Sequence, residues 1–398
     1  MILVGGRLAD GTPADVRLWG DRITEVGPDL DLRDDDIVDC AGMVVLDAPV
    51  EPHAHLDKAG TYAAAPNPTG ELLGAVAAWR DVLAPRPATD VLAGARAALH
   101  DLVLHGATAV RTHVNVGPSS GLAPLDALLA LREEVRDLVD VQVVVLPSSP
   151  LTGAAGAESR LLLERGLAAG ADVCGGAPYT DPDPVACTDL LVSMAREYEV
   201  PLDLHTDEVL EPHILHVRHL ARIDPPAGTT ASHCVSLGVQ PPAAQAAVAA
   251  ELAAAGIAVV ALPQTNLYLQ ARDRPTSPPR GLTAVRALLD AGVTVAAGGD
   301  NVRDPFNAVG RADPLETAAL LVMVAHLTPA EAWHAVGTAG RRTLGLNPVE
   351  VAPGFPAELL CVEGANLADA IGRASERRTV VHRGRVVATT KVDRCLHR

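Results

Sequence analysis

Two histidines one residue apart stand in the run Glu51-Pro52-His53-Ala54-His55-Leu56-Asp57-Lys58. Along an extended strand residues i and i+2 point to the same side, so both imidazoles can reach one ion. Alone, the pair fits metal ligands and incidental histidines equally. Three more polar clusters follow it: His205-Thr206-Asp207-Glu208, Ser232-His233 and Gly298-Gly299-Asp300-Asn301. Each closes or follows a short apolar, β-rich segment. Chance accounts for one such cluster and poorly for four. Imidazole and carboxylate groups converging from four strand ends make a nitrogen and oxygen site suited to a divalent transition metal such as zinc or iron.

Those strand ends need a scaffold that brings them together. Residues 43–301 contain eight β-rich, mostly apolar segments, at 43–50, 108–116, 141–149, 171–178, 200–208, 229–236, 257–266 and 293–301. Each reads as a buried parallel strand. Between them lie Ala- and Leu-rich stretches of helical spacing, such as ATDVLAGARAALHDLVLHG and PAAQAAVAAELAAAGI. Eight strand-helix units predict a (β/α)8 TIM barrel, in which polar residues at the C-terminal strand ends form the active site. A doubly wound open sheet is the rival, but the Gly-rich phosphate loop that often opens one is missing. The first forty or so residues and residues 357–392 are also β-rich. The two chain ends are therefore expected to pair into one small domain, 1–46 with 350–398, flanking a barrel over 47–349.

Composition limits the partners. A formal charge of -17 over 398 residues, with no basic run, repels phosphate backbones and anionic lipid. Nucleic acid and membrane surfaces are poor partners, and small molecules become the expected ones. The six cysteines are scattered and form no C-x-x-C pair, which suggests a reducing cytoplasm. The start, MILVGGRLADG, lacks the pattern of a secretion signal, and no charge-free apolar run reaches membrane-spanning length. A soluble, cytoplasmic protein is expected. Only two lysines are present, Lys58 and Lys391, so lysine chemistry has almost no candidates.

The ordered set HxH, HTDE, SHC and GGDN resembles the amidohydrolase superfamily, and within it the cytosine deaminase branch. The runs Arg111-Thr112-His113-Val114-Asn115-Val116, 262–270 (LPQTNLYLQ) and 300–306 (DNVRDPF) agree, so the resemblance spans nearly the whole chain. It implies a small β-sandwich for the paired ends, homo-oligomers, and a metal-dependent hydrolase. Carried across residue by residue, it makes His53, His55, His205 and Asp300 the metal ligands. One divalent ion, Zn2+ or Fe2+, is expected, because binuclear relatives usually bridge two metals with a fourth-strand lysine and ADVCGGAPY contains none. The ion lowers the pKa of its water and supplies hydroxide near neutrality. Asp300 accepts the water's proton, Glu208 protonates a ring nitrogen and then the leaving amine, and His233 orients the hydroxide. Glu208 also fits a helix N-terminal carboxylate, and His233 a core histidine. His113 fits a ligand-supporting or a purely structural role. His213, His216 and His219 recur at helical spacing and read as a helix face.

The chain departs from cytosine deaminases where substrate is held. Leu146-Pro147-Ser148 replaces a Phe-Pro-Gln run, Asn301 replaces a second aspartate, and Phe306 stands where many relatives carry tryptophan. These changes alter hydrogen-bonding character at the ring edge, so cytosine itself is disfavoured. Lys58 and Asn301 look more like the branch that removes an alkylamine from an s-triazine ring, as N-isopropylammelide amidohydrolase does. Lys58, Ser148, Asn301, Phe306 and Arg303 are the expected substrate contacts, with a structural ion pair open for Lys58 and a surface position open for Arg303. The leading function is hydrolytic deamination of a small nitrogen heterocycle or cyclic amidine. Ring opening of a cyclic amide and a non-catalytic metal-binding role are the alternatives.

Overall fold

A computed structural model of the chain describes residues 1–397. Eight parallel strands pair in chain order: Glu51–Ala54, Ala109–Val116, Asp140–Pro147, Val173–Gly176, Leu202–Thr206, Thr230–His233, Ala258–Ala261 and Val295–Ala297. The ring closes where Ala54 bridges Asp300 and the Asp300 N–H donates to the His53 carbonyl at 3.1 Å. Helices packed around the ring include Ala88–Leu104, Ala123–Val135, Pro184–Glu197, Pro242–Ala254 and Pro314–Val324. Their inward leucines, Leu99, Leu128, Leu191, Leu252 and Leu315 among them, are fully buried in one continuous apolar core. Helix starts are set locally. Asp183 and Asp313 accept backbone N–H bonds at two N-termini, and Thr328 with Glu331 forms a capping box, each cap stabilising by about 1 kcal/mol.

Both chain ends contribute to a second, mixed eight-stranded sheet. It joins Ile2–Arg7, Pro13–Trp19, Arg22–Gly27, Ile37–Asp39 and Met43–Asp47 to Leu359–Glu363, Arg378–His382 and Arg385–Thr389. Its far edge folds back, with the Ile23 N–H donating to the Phe355 carbonyl at 3.0 Å, and encloses a separate core of Leu3, Val16, Ile23, Val45 and Leu359. A fully buried ion pair ties sheet to barrel: Arg378 donates to both carboxylate oxygens of Asp313 at 2.9 and 2.7 Å.

Two segment assignments change. The stretch at 43–50 is not the first barrel strand: Met43–Asp47 pairs antiparallel with Leu359–Glu363 in the outer sheet, and the barrel starts at Glu51. Met43 and Val45 face the outer core while Val44 and Leu46 face the barrel core. A strand buried on both faces shows the same unbroken apolar run as a barrel strand. In the seventh segment the strand ends at Ala261, and Pro263 begins a short helix to Leu269, the N1 position that proline favours. No helix among the described residues is long and apolar enough to cross a membrane.

Candidate metal centre and active site

The C-terminal ends of the barrel strands gather four donors at one point. His205 Nε2 lies 3.2 Å from His53 Nε2 and 3.1 Å from His55 Nε2. Asp300 Oδ1 lies 3.4 Å from His55 Nε2 and 3.8 Å from His53 Nε2. Donors held about 2.0–2.1 Å from one ion at tetrahedral angles stand roughly 3.4 Å from one another. The observed spacings bracket that value. All four side chains are buried, and both Asp300 oxygens have no hydrogen-bond partner among the described residues. A buried carboxylate without partners costs several kcal/mol in isolation, and a cation beside it removes that cost. Burial and crowding by neighbouring imidazoles hold His53 well below its usual pKa, while burial and the Lys58 ammonium do the same for His55. Neutral imidazole is the form that ligates.

A supporting chain fixes the tautomer of His53. Arg111 Nη1 donates to Asp203 Oδ2 at 2.9 Å, and the Ser232 hydroxyl donates to Asp203 Oδ1 at 2.9 Å. The Ser232 proton is thus committed, so its oxygen accepts from His53 Nδ1 at 3.0 Å and leaves the Nε2 lone pair aimed at the donor cluster. Burial pushes the Asp203 carboxyl up, but His113 and Arg111 reverse this and hold it below the ordinary value. His113 stacks on His53 with ring centroids 3.9 Å apart and turns Nε2 to Asp203 at 3.5 Å. His53, His113 and His205 therefore form a second cluster of close donors, yet His113 lies outside the cavity and its nitrogen faces an anion. The cluster with His55 and Asp300 opens to the cavity.

A model of the amidohydrolase family matches residues 66–388. The chain belongs to this family. It is 31% identical over 350 residues to a pterin deaminase from Rhizobium rhizogenes, covering 86% of this chain and 80% of the relative. N-isopropylammelide isopropyl amidohydrolase from Pseudomonas sp. is 26% identical over 404 residues, 95% of this chain and 94% of that one. The crystal structure of 5-methylcytosine deaminase from Klebsiella pneumoniae liganded with 5-fluorocytosine superposes with a TM-score of 0.90 at 27% identity, covering 100% of this chain and 99% of that one. As an amidohydrolase with this donor set, the chain is a metal-dependent hydrolase of carbon–nitrogen bonds.

Beside the donor cluster stand Glu208 and His233, the residues expected from the sequence to move protons and orient the hydroxide. Glu208 is buried; its Oε2 accepts from the Tyr179 hydroxyl at 2.8 Å, and Oε1 lies 3.5 Å from His233 Nδ1. Burial lifts its carboxyl to about 7, against the opposing Tyr179 hydrogen bond. His233 Nδ1 lies 3.0 Å from Asn266 Oδ1, which can only accept, so Nδ1 carries the proton and the Nε2 lone pair faces Asp300 Oδ2, 3.9 Å away. Burial likewise raises Asp300 to about 8, with His233 opposing. His233, Cys234 and Asp300 all take left-handed φ values of 68°, 47° and 64°. Each costs roughly 1–3 kcal/mol and turns a strand end sharply at the site.

Glu51 joins the first and eighth strands. Its two oxygens accept from the His53 N–H at 3.1 Å and the Gly299 N–H at 2.8 Å, and burial raises its pKa to about 8. A Cβ at position 298 would lie 2.2 Å from Glu51 Oε1, so Gly298 is required by this carboxyl.

A cavity of about 600 Å³ opens over the cluster, lined by His55, His205, Glu208, His233 and Asp300 and by the expected contacts Lys58, Ser148, Asn301 and Phe306. Lys58 is buried, 3.0 Å from Asp57 Oδ1 and 3.0 Å from His55 Nδ1, with its ammonium 5.8 Å from the Phe306 ring centre. Asn301 donates to Asp304 Oδ2 at 2.8 Å. Arg303 is the one expected contact that the structure does not bring to the cavity. It has a left-handed φ of 51°, and its guanidinium pairs outward with Asp101 at 2.6 Å, half exposed. His213, His216 and His219 also lie away from the cavity; His219 meets Asp189 at 2.7 Å.

Sequence reasoning missed Glu51, Tyr179, Asp203 and Asn266 as parts of the site. Glu51 and Asn266 were visible only as members of family-like runs. Tyr179 and Asp203 carry no spacing signal, because their partners come from other strands.

Proposed function

We propose that this amidohydrolase removes an amine from a ring carbon of a small nitrogen heterocycle by hydrolysis, with one divalent ion, zinc or iron, held by His53, His55, His205 and Asp300. The observation that carries the proposal is Glu208: a buried carboxyl raised to about 7, within 3.5 Å of His233 and facing the same cavity as the four donors. A binding protein has no use for such a group. The pterin, N-isopropylammelide and 5-methylcytosine relatives, all named for aminated rings, support the reading.

When bound, a divalent ion at these donors supplies water of lowered pKa. The chain's own groups do the rest. Protonated Glu208 donates to the ring nitrogen next to the reacting carbon and makes that carbon electrophilic. Asp300, whose carboxylate oxygens have no hydrogen-bond partner among the described residues, takes the proton of the attacking water. The neutral His233 accepts a hydrogen bond at Nε2 and aligns that water, while Asn266 fixes its tautomer. Glu208, now a carboxylate, takes the proton of the new hydroxyl as the carbonyl forms and passes it to the amine, which leaves as ammonia or an alkylamine; the proton held by Asp300 then returns to Glu208, so both carboxyls regain their starting states. One water is consumed and one carbonyl formed. Lys58, Ser148, Asn301 and Phe306 hold the ring. We further propose domain boundaries of 1–46 with 350–398 for the small sheet domain and 47–349 for the barrel.

An amine-release screen of zinc- or iron-loaded protein over aminopyrimidines, aminotriazines and aminopteridines tests the reading. Amine release with exchange of nitrogen for oxygen in the product supports it. A product that has gained water and kept every nitrogen, or uniform inactivity, contradicts it.

A further inference from the structure

We infer that the substrate is a fused two-ring aminoheterocycle whose second ring lies against Leu72, Val76 and Trp79. The inference rests on the deaminase reading and adds the size and shape of the ring system. A volume of about 600 Å³ sits in the middle of the range of roughly 300–1,000 Å³ for pockets that enclose drug-sized ligands. The reacting groups occupy only one part of it, and a single six-membered ring leaves most of the space to water.

Part of the remaining lining is an apolar helical stripe. Leu72, Val76 and Trp79 follow helical spacing i, i+4, i+7 on the helix Leu72–Ala78 and the π-turn Trp79–Leu83 that extends it. All three line the cavity, and none belongs to or packs on the described hydrophobic cores. Inward residues at equivalent spacing on other helices, such as Leu99, Leu128 and Leu191, are fully buried, whereas Val76 is 38% exposed. An apolar helical stripe normally faces protein; this one faces the substrate chamber. The π-turn begins at Trp79, and such turns recur at functional sites, where the extra residue re-aims side chains. Asn115 and Ser148 present an amide and a hydroxyl to the same space, suited to the polar edge of a flat ring system.

Matched pairs that share the reacting ring test this: 2-amino-4-oxopteridine with 2-amino-4-oxopyrimidine, and 6-aminopurine with 4-aminopyrimidine. The fused member of at least one pair is expected to have a kcat/KM higher by about tenfold or more. Trp79→Ala should lower that fused-to-single ratio by about tenfold. Val76→Gln, at a position 38% exposed, should lower it in the same direction. Calorimetric titration of the oxo products, 2,4-dioxopteridine against 2,4-dioxopyrimidine, needs no turnover and should show the same preference. Amine release from single rings as fast as from fused ones overturns this inference and leaves the deaminase reading standing. No amine release with a retained preference for the fused product overturns the deaminase reading alone. Equal affinity for both products overturns the inference.

Discussion

Replacing Glu208 by glutamine should make the protein a far worse catalyst and a more stable fold at alkaline pH. Glutamine keeps the shape and an oxygen for the Tyr179 hydroxyl, so the change isolates the proton. Burial raises the Glu208 carboxyl from an ordinary 4.5 to about 7 in the folded chain. A raised carboxyl favours folding fully below the unfolded pKa, and that contribution is lost as pH climbs through the folded value. At about 1.4 kcal/mol per pKa unit, the folded wild type forfeits roughly 3 kcal/mol between pH 4.5 and 7. The glutamine variant does not titrate and forfeits nothing. With an unfolding entropy of about 2.1 cal/mol/K per residue over 398 residues, its midpoint should exceed the wild type's by roughly 4 °C at pH 8.5. Near pH 4.5 the two should agree. Thermal unfolding of chelator-treated protein at both pH values reads this directly, because a bound cation adds its own field. Amine release by the metal-loaded variant should drop by about 10²–10⁴-fold. Equal stability at pH 8.5 together with retained activity would refute both the burial argument and the proton-transfer role.

Three other outcomes follow from the same geometry. Ser232→Ala removes the oxygen that fixes His53 Nδ1, and competition with a chelator should show metal affinity lowered by about 10–100-fold without loss of fold; unchanged affinity rejects the tautomer argument. Gly298→Ala puts a Cβ 2.2 Å from Glu51 Oε1, and denaturant titration should show a loss of roughly 1–3 kcal/mol, while an unchanged midpoint shows Glu51 can move freely. A general acid near 7 must be protonated to act, so kcat/KM should decline as pH rises past about 7; a flat profile from pH 6 to 9 excludes Glu208 as that acid.

The barrel was legible because each of its strands is buried on both faces and each intervening helix repeats an apolar stripe. The same logic misplaced residues 43–50, since Met43–Asp47 is sandwiched between two cores and shows no alternation. The donor cluster was legible because His53, His55, His205 and Asp300 sit at or just beyond strand ends, where one fold rule applies to all. The groups that tune it were not. The link between Asp203 and Ser232 crosses from the fifth strand to the sixth, and Tyr179 reaches Glu208 from the turn after the fourth strand. Such contacts depend on barrel closure, which local spacing does not encode. Arg303 failed for a related reason: three residues from Asp300 spans a left-handed turn, and the side chain leaves the cavity for Asp101.

Metal stoichiometry by plasma mass spectrometry, on purified wild-type protein beside His205→Ala and His113→Ala, bears most directly on the donor cluster. One zinc or iron per chain in the wild type, kept in His113→Ala and lost in His205→Ala, is the expected pattern. A full complement of metal in His205→Ala, or its loss only in His113→Ala, would place the ion elsewhere and contradict the account.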